Sequence, residues 1–282
     1  MPAVKKVQFI NGLKMNLRLN RLEQDLSIAK EVILDDCYGL RQLVRLGFKP
    51  DVIIDVGGHI GSFGLLAKLL FPQCLVLAFE PNNESFSLYQ QNIEENNMQG
   101  IKVANFAISY DSSRTYLLDG ALSTGGSVLK DSFAATQLAA TASVNGEESY
   151  SIIQSDVKQK TLEYVLLEHG LDSIDLLKLD CEGSEYDILE NVQSSSGEKI
   201  GALCGEYHGL GGFDIIKNLL KVVSPHLKVV GLGFRSTHGP FWAFNSRWEN
   251  YKFLSLRLLA SIKIRMIRLL LRKLETGYTL SK

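Results

Sequence analysis

Cysteine is scarce in this sequence: 282 residues contain four, at Cys37, Cys74, Cys181 and Cys204. None forms a CxxC pair, and no Cys/His cluster has zinc-ligand spacing, so a sequence-encoded zinc finger or ribbon is excluded. Free thiols in a reducing compartment follow. Charge of either sign is also lacking in excess. Thirty Lys and Arg against 31 Asp and Glu leave a formal net charge of -1, so the chain as a whole lacks the basic surplus of a nucleic-acid binder. No run of about 18 uninterrupted apolar residues exists, and no conventional transmembrane helix is expected. The opening MPAVKKVQFING has no sustained apolar stretch before a small-residue cleavage site. A cytoplasmic protein is therefore expected. There is no internal repeat.

What remains is an ordinary globular composition, 45% hydrophobic and 22% charged, enough for one large α/β domain with appendages. VQFI, a turn at Asn11-Gly12 and the alternating LKMNLRL predict a hairpin over residues 4–20. Apolar periodicity predicts helix over 22–46, ended by Gly47 and Pro50. Strands are expected at Val52–Val56, Leu75–Phe79, Ile101–Ile108, Ile174–Leu179 and Ile200–Gly205. Helices are expected at Gly61–Phe71, Glu84–Asn96, 160–169, Ser184–Val192 and Gly212–Val223. Leu227–Leu232 and Pro240–Asn245 read as a terminal antiparallel hairpin. This alternation predicts a doubly wound, mostly parallel sheet with helices on both faces. Residues 120–158, rich in Ser, Thr, Ala and Gly, break the rhythm. They read either as a surface insertion or as a loop over the active site.

Ligands of open α/β sheets bind beyond the carboxyl ends of the strands. DVIIDVGGHIGSFG places Asp55, Gly57, His59 and Gly61 there, as the first strand turns into a helix. Glycines permit the tight turn and a close approach of a ligand to the backbone. The G-x-G-x-x-G dinucleotide pattern fails: counted from Gly57 the third place is His59, and from Gly58 it is Ile60. Asp55-x-Gly57-x-x-x-Gly61 suits a nucleoside joined to an amino-acid group better than a pyrophosphate. Glu80, ending the second strand in AFEP, is placed to accept ribose hydroxyls. Asn105 and Ala107 at the third strand are candidates for adenine contact. A second constellation, IDLLKLDCEGSEY, puts Lys178, Asp180 and Glu182 at the end of the fourth strand, with Glu185 opening the next helix. Alternation sends Lys178 and Asp180 to one face and Leu177 and Leu179 to the other. Glu182 and Glu185 also suit a purely structural role at a helix N-terminus.

Taken together, DVGGHIGSFG, AFEPN, VANFAIS, TLEYVL and LLKLDCEGSEYDIL resemble the FkbM family of methyltransferases over about residues 36–208. The most specific part is Lys178, Asp180, Glu182, Gly183 and Glu185. The resemblance implies a class I methyltransferase (Rossmann-like) fold, S-adenosylmethionine as methyl donor, and O-methylation of a sugar, glycan or natural-product hydroxyl. Asp55, Gly57 and Gly61 match the family's first motif, and Glu80 its ribose-binding acid. Gly58-His59 departs from it, since the family commonly shows Ala-Asn there. The implied organisation is an N-terminal hairpin and helical cap (1–50), a methyltransferase domain (51–250) with an insertion at 120–158, and a C-terminal segment (251–282).

Glu206 and His208 follow the fifth strand. An imidazole suits proton removal from a hydroxyl, so Asp180 or His208 is the candidate base. Lys178, Glu182 and Glu206 would position the acceptor. A divalent metal held by Asp180, Glu182 and Glu206 is an alternative means of acidifying the hydroxyl. N-methylation of a small molecule or peptide, and a nucleoside-binding module without catalysis, also stand as readings. Residues 251–274 form a basic amphipathic pattern, with seven basic residues and one acidic residue between Tyr251 and Glu275. This segment suits peripheral contact with an anionic inner membrane surface, self-association, or packing on its own domain.

Overall fold

The alternating apolar residues of the N-terminus form the expected hairpin, β1 (Val4–Gln8) against β2 (Lys14–Arg18). This is seen in a computed structural model that describes residues 2–120, 127–129, 150–208, 212–231 and 238–247. Residues 251–274 and most of the 120–158 insertion lie outside the described residues. Among those described, no helix is long and apolar enough to cross a membrane.

The helix expected over 22–46 is two helices, α1 (Leu22–Ile33) and α2 (Leu40–Arg45). Asp36 causes the break. Its backbone is left-handed, and its carboxylate accepts from the amides of Leu40 (2.7 Å) and Arg41 (3.1 Å). A short side chain that satisfies amides at the start of a new helix competes with continuation of the old one. The break turns Tyr38 inward, where it is buried.

The alternation then runs through β3 (Val52–Val56), α3 (Ser62–Leu70), β4 (Leu75–Phe79), α4 (Asn83–Glu95) and β5 (Ile101–Ala104). The third strand expected at 101–108 is divided. After β5, Asn105 donates its side-chain amide to the carbonyls of Glu80 (3.0 Å) and Pro81 (3.1 Å), and Phe106 packs on Phe79. The chain leaves the sheet there and continues as β6 (Ala107–Ile108) in a different one. That second sheet has the order β6-β9-β7-β8, with β7 (Arg114–Gly120), β8 (Ser127–Leu129) and β9 (Tyr150–Lys160). Both ends of the expected loop are thus strand, closed by a small core of Ala107, Leu117, Leu129 and Val157.

The chain returns through the helix Leu162–Glu168 to β10 (Ile174–Leu179), the helix Ser184–Asn191, and β11 (Ile200–His208). β11 runs three residues beyond its expected end, carrying Glu206 and His208 inside the strand. The helix Gly212–Val223 and an antiparallel pair, β12 (Leu227–Gly231) and β13 (His238–Asn245), complete the main sheet. Its order is β12-β13-β11-β10-β3-β4-β5, parallel except for β13. Alternate residues feed opposite cores. Ile54, Val56, Leu177 and Leu179 lie in one, and Ile53, Leu176 and Cys204 in the other. The chain reverses its direction of winding between β3 and β10, and a crevice at such a switch point is where this architecture binds ligands.

Candidate active site

Register decides the first contact. Lys178 of β10 is the direct partner of Asp55 in β3, and both side chains point into the same core. Each is nearly inaccessible, at 3% and 0%, and Lys178 Nζ lies 3.2 Å from Asp55 Oδ1. The ammonium also donates to the carbonyls of Gly57 (2.7 Å) and Val56 (3.2 Å). Burial pushes its pKa down, but the charges of Asp55 and Asp180 outweigh burial and hold it above the usual lysine range. An ammonium has three donors, and these contacts occupy them. Lys178 therefore supports the ends of β3 and β10 rather than touching an acceptor, which corrects the positioning role expected for it. Asp55 is likewise enclosed, and Tyr89 Oη is its other partner at 3.5 Å. No surface of Asp55 is left for direct contact with a cofactor.

Asp180, one residue past β10, is the opposite case. Its side chain is 26% exposed. Tyr38 Oη donates to Oδ2, and Lys178 Nζ lies 3.8 Å from the same oxygen. Oδ1 is 3.8 Å from His208 Nε2. Burial raises the pKa of Asp180, but Lys178, His208 and the Tyr38 hydrogen bond together hold it below the usual range, so the group is a carboxylate at neutral pH. Tyr38 had no signal in the sequence. It lies in a polar turn, and only the fold brings it to a residue 142 positions away.

His208 sits among acids. Its Nδ1 is 3.2 Å from Glu185 Oε1, and its Nε2 is 4.0 Å from Glu182 Oε2. Burial lowers its pKa, while Glu185, Glu182 and Glu206 raise it further, leaving it well above the ordinary histidine value. The surrounding carboxylates favour the imidazolium form, which has no lone pair for a proton. In that form His208 suits the part of counter-ion better than that of the expected base. Glu185 is fully buried and accepts from the amides of Cys181 (2.5 Å) and Gly183 (2.7 Å), closing the turn into the helix Ser184–Asn191. Glu182 takes a left-handed backbone in that turn. Glu206 lies on β11 on the same face as His208, and its charge reaches both His208 and Tyr38. The carboxylates Asp180, Glu182 and Glu206 are not the set that the fold brings together. Asp180, Glu185 and His208 are, with ligand atoms all within 4.8 Å. Both Glu185 oxygens already accept backbone hydrogen bonds and His208 favours its protonated form, so an ion-pair cluster describes this group better than a metal centre.

The glycine loop holds a correction of a different kind. Gly57 (φ +77) and Gly61 (φ +96) need the left-handed backbone, as expected of a tight turn. The space beside the glycines is filled by protein, however. A Cβ on Gly57 would overlap the carbonyl oxygen of Asp180, and one on Gly58, Gly61 or Gly64 would strike the ring or hydroxyl of Tyr89. Tyr89, on α4, is completely buried against the loop. His59 also has a left-handed backbone (φ 48), and its amide donates to Glu80 Oε2 at 2.7 Å. Its ring Nε2 faces the N-terminal hairpin, 2.7 Å from Arg18 Nη2. Arg18 is paired with the buried Asp25 at 2.6 Å. Burial and Arg18 lower the His59 pKa to about 4, so the ring is neutral and Nε2 accepts from the guanidinium. Ala107 is buried in the small second core, and Asn105 spends its amide on the carbonyls of Glu80 and Pro81. The Ala107 side chain is therefore enclosed, while Asn105 is held by its amide nitrogen.

Glu80 ends β4 as expected, with Oε1 accepting from the amide of Asn82 (2.8 Å) and Oε2 from that of His59. Two backbone amides thus orient the carboxylate at the mouth of the loop.

This strand order, glycine turn and acid at the end of the second parallel strand define an S-adenosylmethionine-dependent methyltransferase of class I architecture. Residues 55–215 match the methyltransferase FkbM domain, and the chain belongs to that family. It is similar to the 31-O-demethyl-FK506 methyltransferase FkbM of Streptomyces tacrolimicus, 31% identical over 66% of this chain and 75% of the relative. It is also similar to methyltransferase 1 of Beauveria bassiana, 28% identical over 78% of this chain and 89% of the relative. Among solved structures, human methyltransferase 10 domain containing protein aligns at 15% identity over 84% of this chain and 89% of that one, with a TM-score of 0.48.

The residues at the loop fit this cofactor. His59 Nδ1 and Ser62 Oγ are buried polar atoms without a hydrogen-bond partner among the described residues, and both flank the glycine turn. Buried polar atoms are normally satisfied, so a polar ligand seated here accounts for a local shortfall. Glu80, its carboxylate oriented by two backbone amides, is the residue that would hold the ribose. Burial pushes its pKa up to about 7 against the opposing pull of the two amides. A carboxylate accepts hydrogen bonds from two hydroxyls and a neutral acid does so poorly. S-adenosylhomocysteine should therefore bind about tenfold more weakly at pH 6 than at pH 8. Isothermal titration across that range checks this. Glu80→Gln should bind weakly at every pH with the slope removed; an undiminished slope in the variant would place the titration elsewhere.

Proposed function

We propose that this protein methylates a hydroxyl group of a small-molecule acceptor, a natural product or a sugar. The observation that carries the proposal is Asp180: an ionised, partly exposed carboxylate at the carboxyl end of β10, with Oδ2 committed to Tyr38. Oδ1 has no hydrogen bond among the described residues and is the atom to receive a hydroxyl proton. A hydroxyl is a weak nucleophile and gains from a carboxylate that takes its proton as the new bond forms. When bound, S-adenosylmethionine supplies an activated methyl group on a cationic sulfonium. Glu80 would hold its ribose, and the carboxylates of Asp180 and Glu182 provide a negative field suited to its charge. Glu182 and Glu206 would then hold the acceptor's other polar groups. The Streptomyces tacrolimicus relative is named as a 31-O-demethyl-FK506 methyltransferase, which supports an oxygen acceptor.

The test is a screen of alcohol, sugar and amine acceptors scored by S-adenosylhomocysteine release, with product mass spectrometry locating the methyl group. Methylation on oxygen is expected. Methylation on nitrogen by the amine acceptors alone would overturn the proposal. Pre-treatment with EDTA should leave turnover within about twofold of the untreated enzyme, because in the Asp180–Glu185–His208 cluster two backbone amides already engage Glu185 and the histidine supplies the balancing positive charge. Loss of turnover restored by added Mg²⁺ or Mn²⁺ would reinstate a metal.

A further inference from the structure

Tyr38 lies outside the segment that matches the family domain, which begins at residue 55. Every side of it is nevertheless engaged with the site. Its ring meets Phe63 of α3 edge-on, with centroids 5.3 Å apart and planes at 90°. The Lys178 ammonium lies over its face at 5.8 Å from the centroid. Its hydroxyl donates to Asp180 Oδ2. The turn that delivers it is built by Asp36, whose carboxylate starts α2, and by Gly39, whose left-handed backbone (φ +69) follows immediately. A tyrosine is 7% exposed here although its hydroxyl needs a partner, and the partner it has is the residue assigned as base.

We propose that Tyr38 is a positioning residue for methyl transfer, fixing the Asp180 carboxylate so that Oδ2 is occupied and Oδ1 faces the acceptor. This rests on the reading of Asp180 as the base. The hydroxyl does two things at once. It selects one rotamer of a side chain that Lys178 alone, at 3.8 Å, would hold loosely. It also stabilises the carboxylate form by a hydrogen bond given to one oxygen. Without it, Oδ2 is free to turn toward the acceptor or toward His208, and the proton-accepting lone pair is no longer in one place. The N-terminal segment is then part of the reaction centre, and the family-matched segment alone would be a poor enzyme.

Lys178 from β10 and His208 from β11 also face Asp180 with their charges, and the neutral His59 ring lies near it on the glycine loop. Asp180 in turn acts on Glu182, Asp55, Cys181 and Cys37. Tyr38→Phe leaves all of these in place and removes one oxygen, so a difference between the two proteins isolates the hydroxyl. The experiment is a pH titration of the full chain carrying ¹³C at the aspartate carboxyls. The Asp180 resonance is identified by its absence from Asp180→Asn, and S-adenosylhomocysteine affinity is measured in parallel. In Tyr38→Phe the Asp180 midpoint should move to higher pH, with about tenfold more of the acid form at a fixed pH above both midpoints. Affinity for S-adenosylhomocysteine should stay within about twofold, because Tyr38 acts through Asp180. An unmoved midpoint overturns the proposal, as does a loss of S-adenosylhomocysteine affinity of tenfold or more. Should Tyr38→Phe fail to fold, site-specific 3-fluorotyrosine at position 38 replaces it. That stronger donor should move the midpoint the other way, and no movement again overturns the proposal. If Asp180→Asn keeps full turnover, the base assignment fails while the Tyr38 contact remains measurable by titration, so the two failures are distinct.

Discussion

Asp180→Asn is expected to lower turnover by about 10²–10⁴-fold, the range of a general base removed from a proton-transfer step. S-adenosylhomocysteine affinity should change little. The substitution is close to isosteric, and an amide oxygen at the Oδ2 position still accepts from Tyr38. What disappears is the negative charge and the proton-accepting Oδ1, 3.8 Å from His208. The cost should fall on kcat, because the lost interaction strengthens as the acceptor's proton departs. Steady-state release of S-adenosylhomocysteine, paired with calorimetric affinity, separates the two quantities. His208→Asn should be milder, about tenfold, since an imidazolium balancing Glu185 and Glu182 acts by charge rather than by taking a proton. The reverse ranking, with His208→Asn inactive and Asp180→Asn active, would make His208 the base.

Lys178→Met carries the largest expected effect on stability. It leaves Asp55 as a buried carboxylate with no cation, and breaking a buried pair from one side costs about 3–5 kcal/mol. The carbonyls of Val56 and Gly57 lose their donor as well. Denaturant unfolding at pH 8 should show the deficit directly. The pH dependence follows from Asp55, whose pKa burial already raises in the intact protein despite Lys178 and Tyr89. In the variant it rises further. A carboxylate with a raised folded-state pKa costs stability only where it is forced to ionise, so the deficit should shrink as pH falls from 8 toward 5. The double variant Asp55→Asn/Lys178→Met should recover most of the loss. If the double variant is no better than Lys178→Met, the pair is not what holds these strand ends.

The strands that form the centre of the sheet were legible because a parallel strand buried on both faces is an uninterrupted apolar run. Val52–Val56, Leu75–Phe79 and Ile174–Leu179 fall where the sequence places them. The alternation of Lys178 and Asp180 against Leu177 and Leu179 was legible for the same reason. What the sequence hid depends on partners far along the chain. The Asp55–Lys178 pair requires the register of β3 against β10. The protonation of His208 requires Glu185 to be turned toward it from the next helix. Tyr38 looked like part of a continuous helix because apolar periodicity spans residues 22–46, and a capping aspartate outweighed that pattern. The 120–158 segment looked like a loop because Ser, Thr and Gly dominate it. The strands at its two ends bury only a small core, so they demand few of the apolar residues that announce a strand.

The three glycines filled by Tyr89 tie the cofactor loop to α4 as a peg ties a hinge leaf. A ring enclosed by Gly58, Gly61 and Gly64 cannot rotate through 180° unless those backbone segments draw apart. The exchange of the two sides of the Tyr89 ring, followed by NMR, is therefore a clock for loop breathing. Its rate in the free protein counts how often the donor site opens, and its slowing by a bound nucleoside measures how firmly that site is then shut.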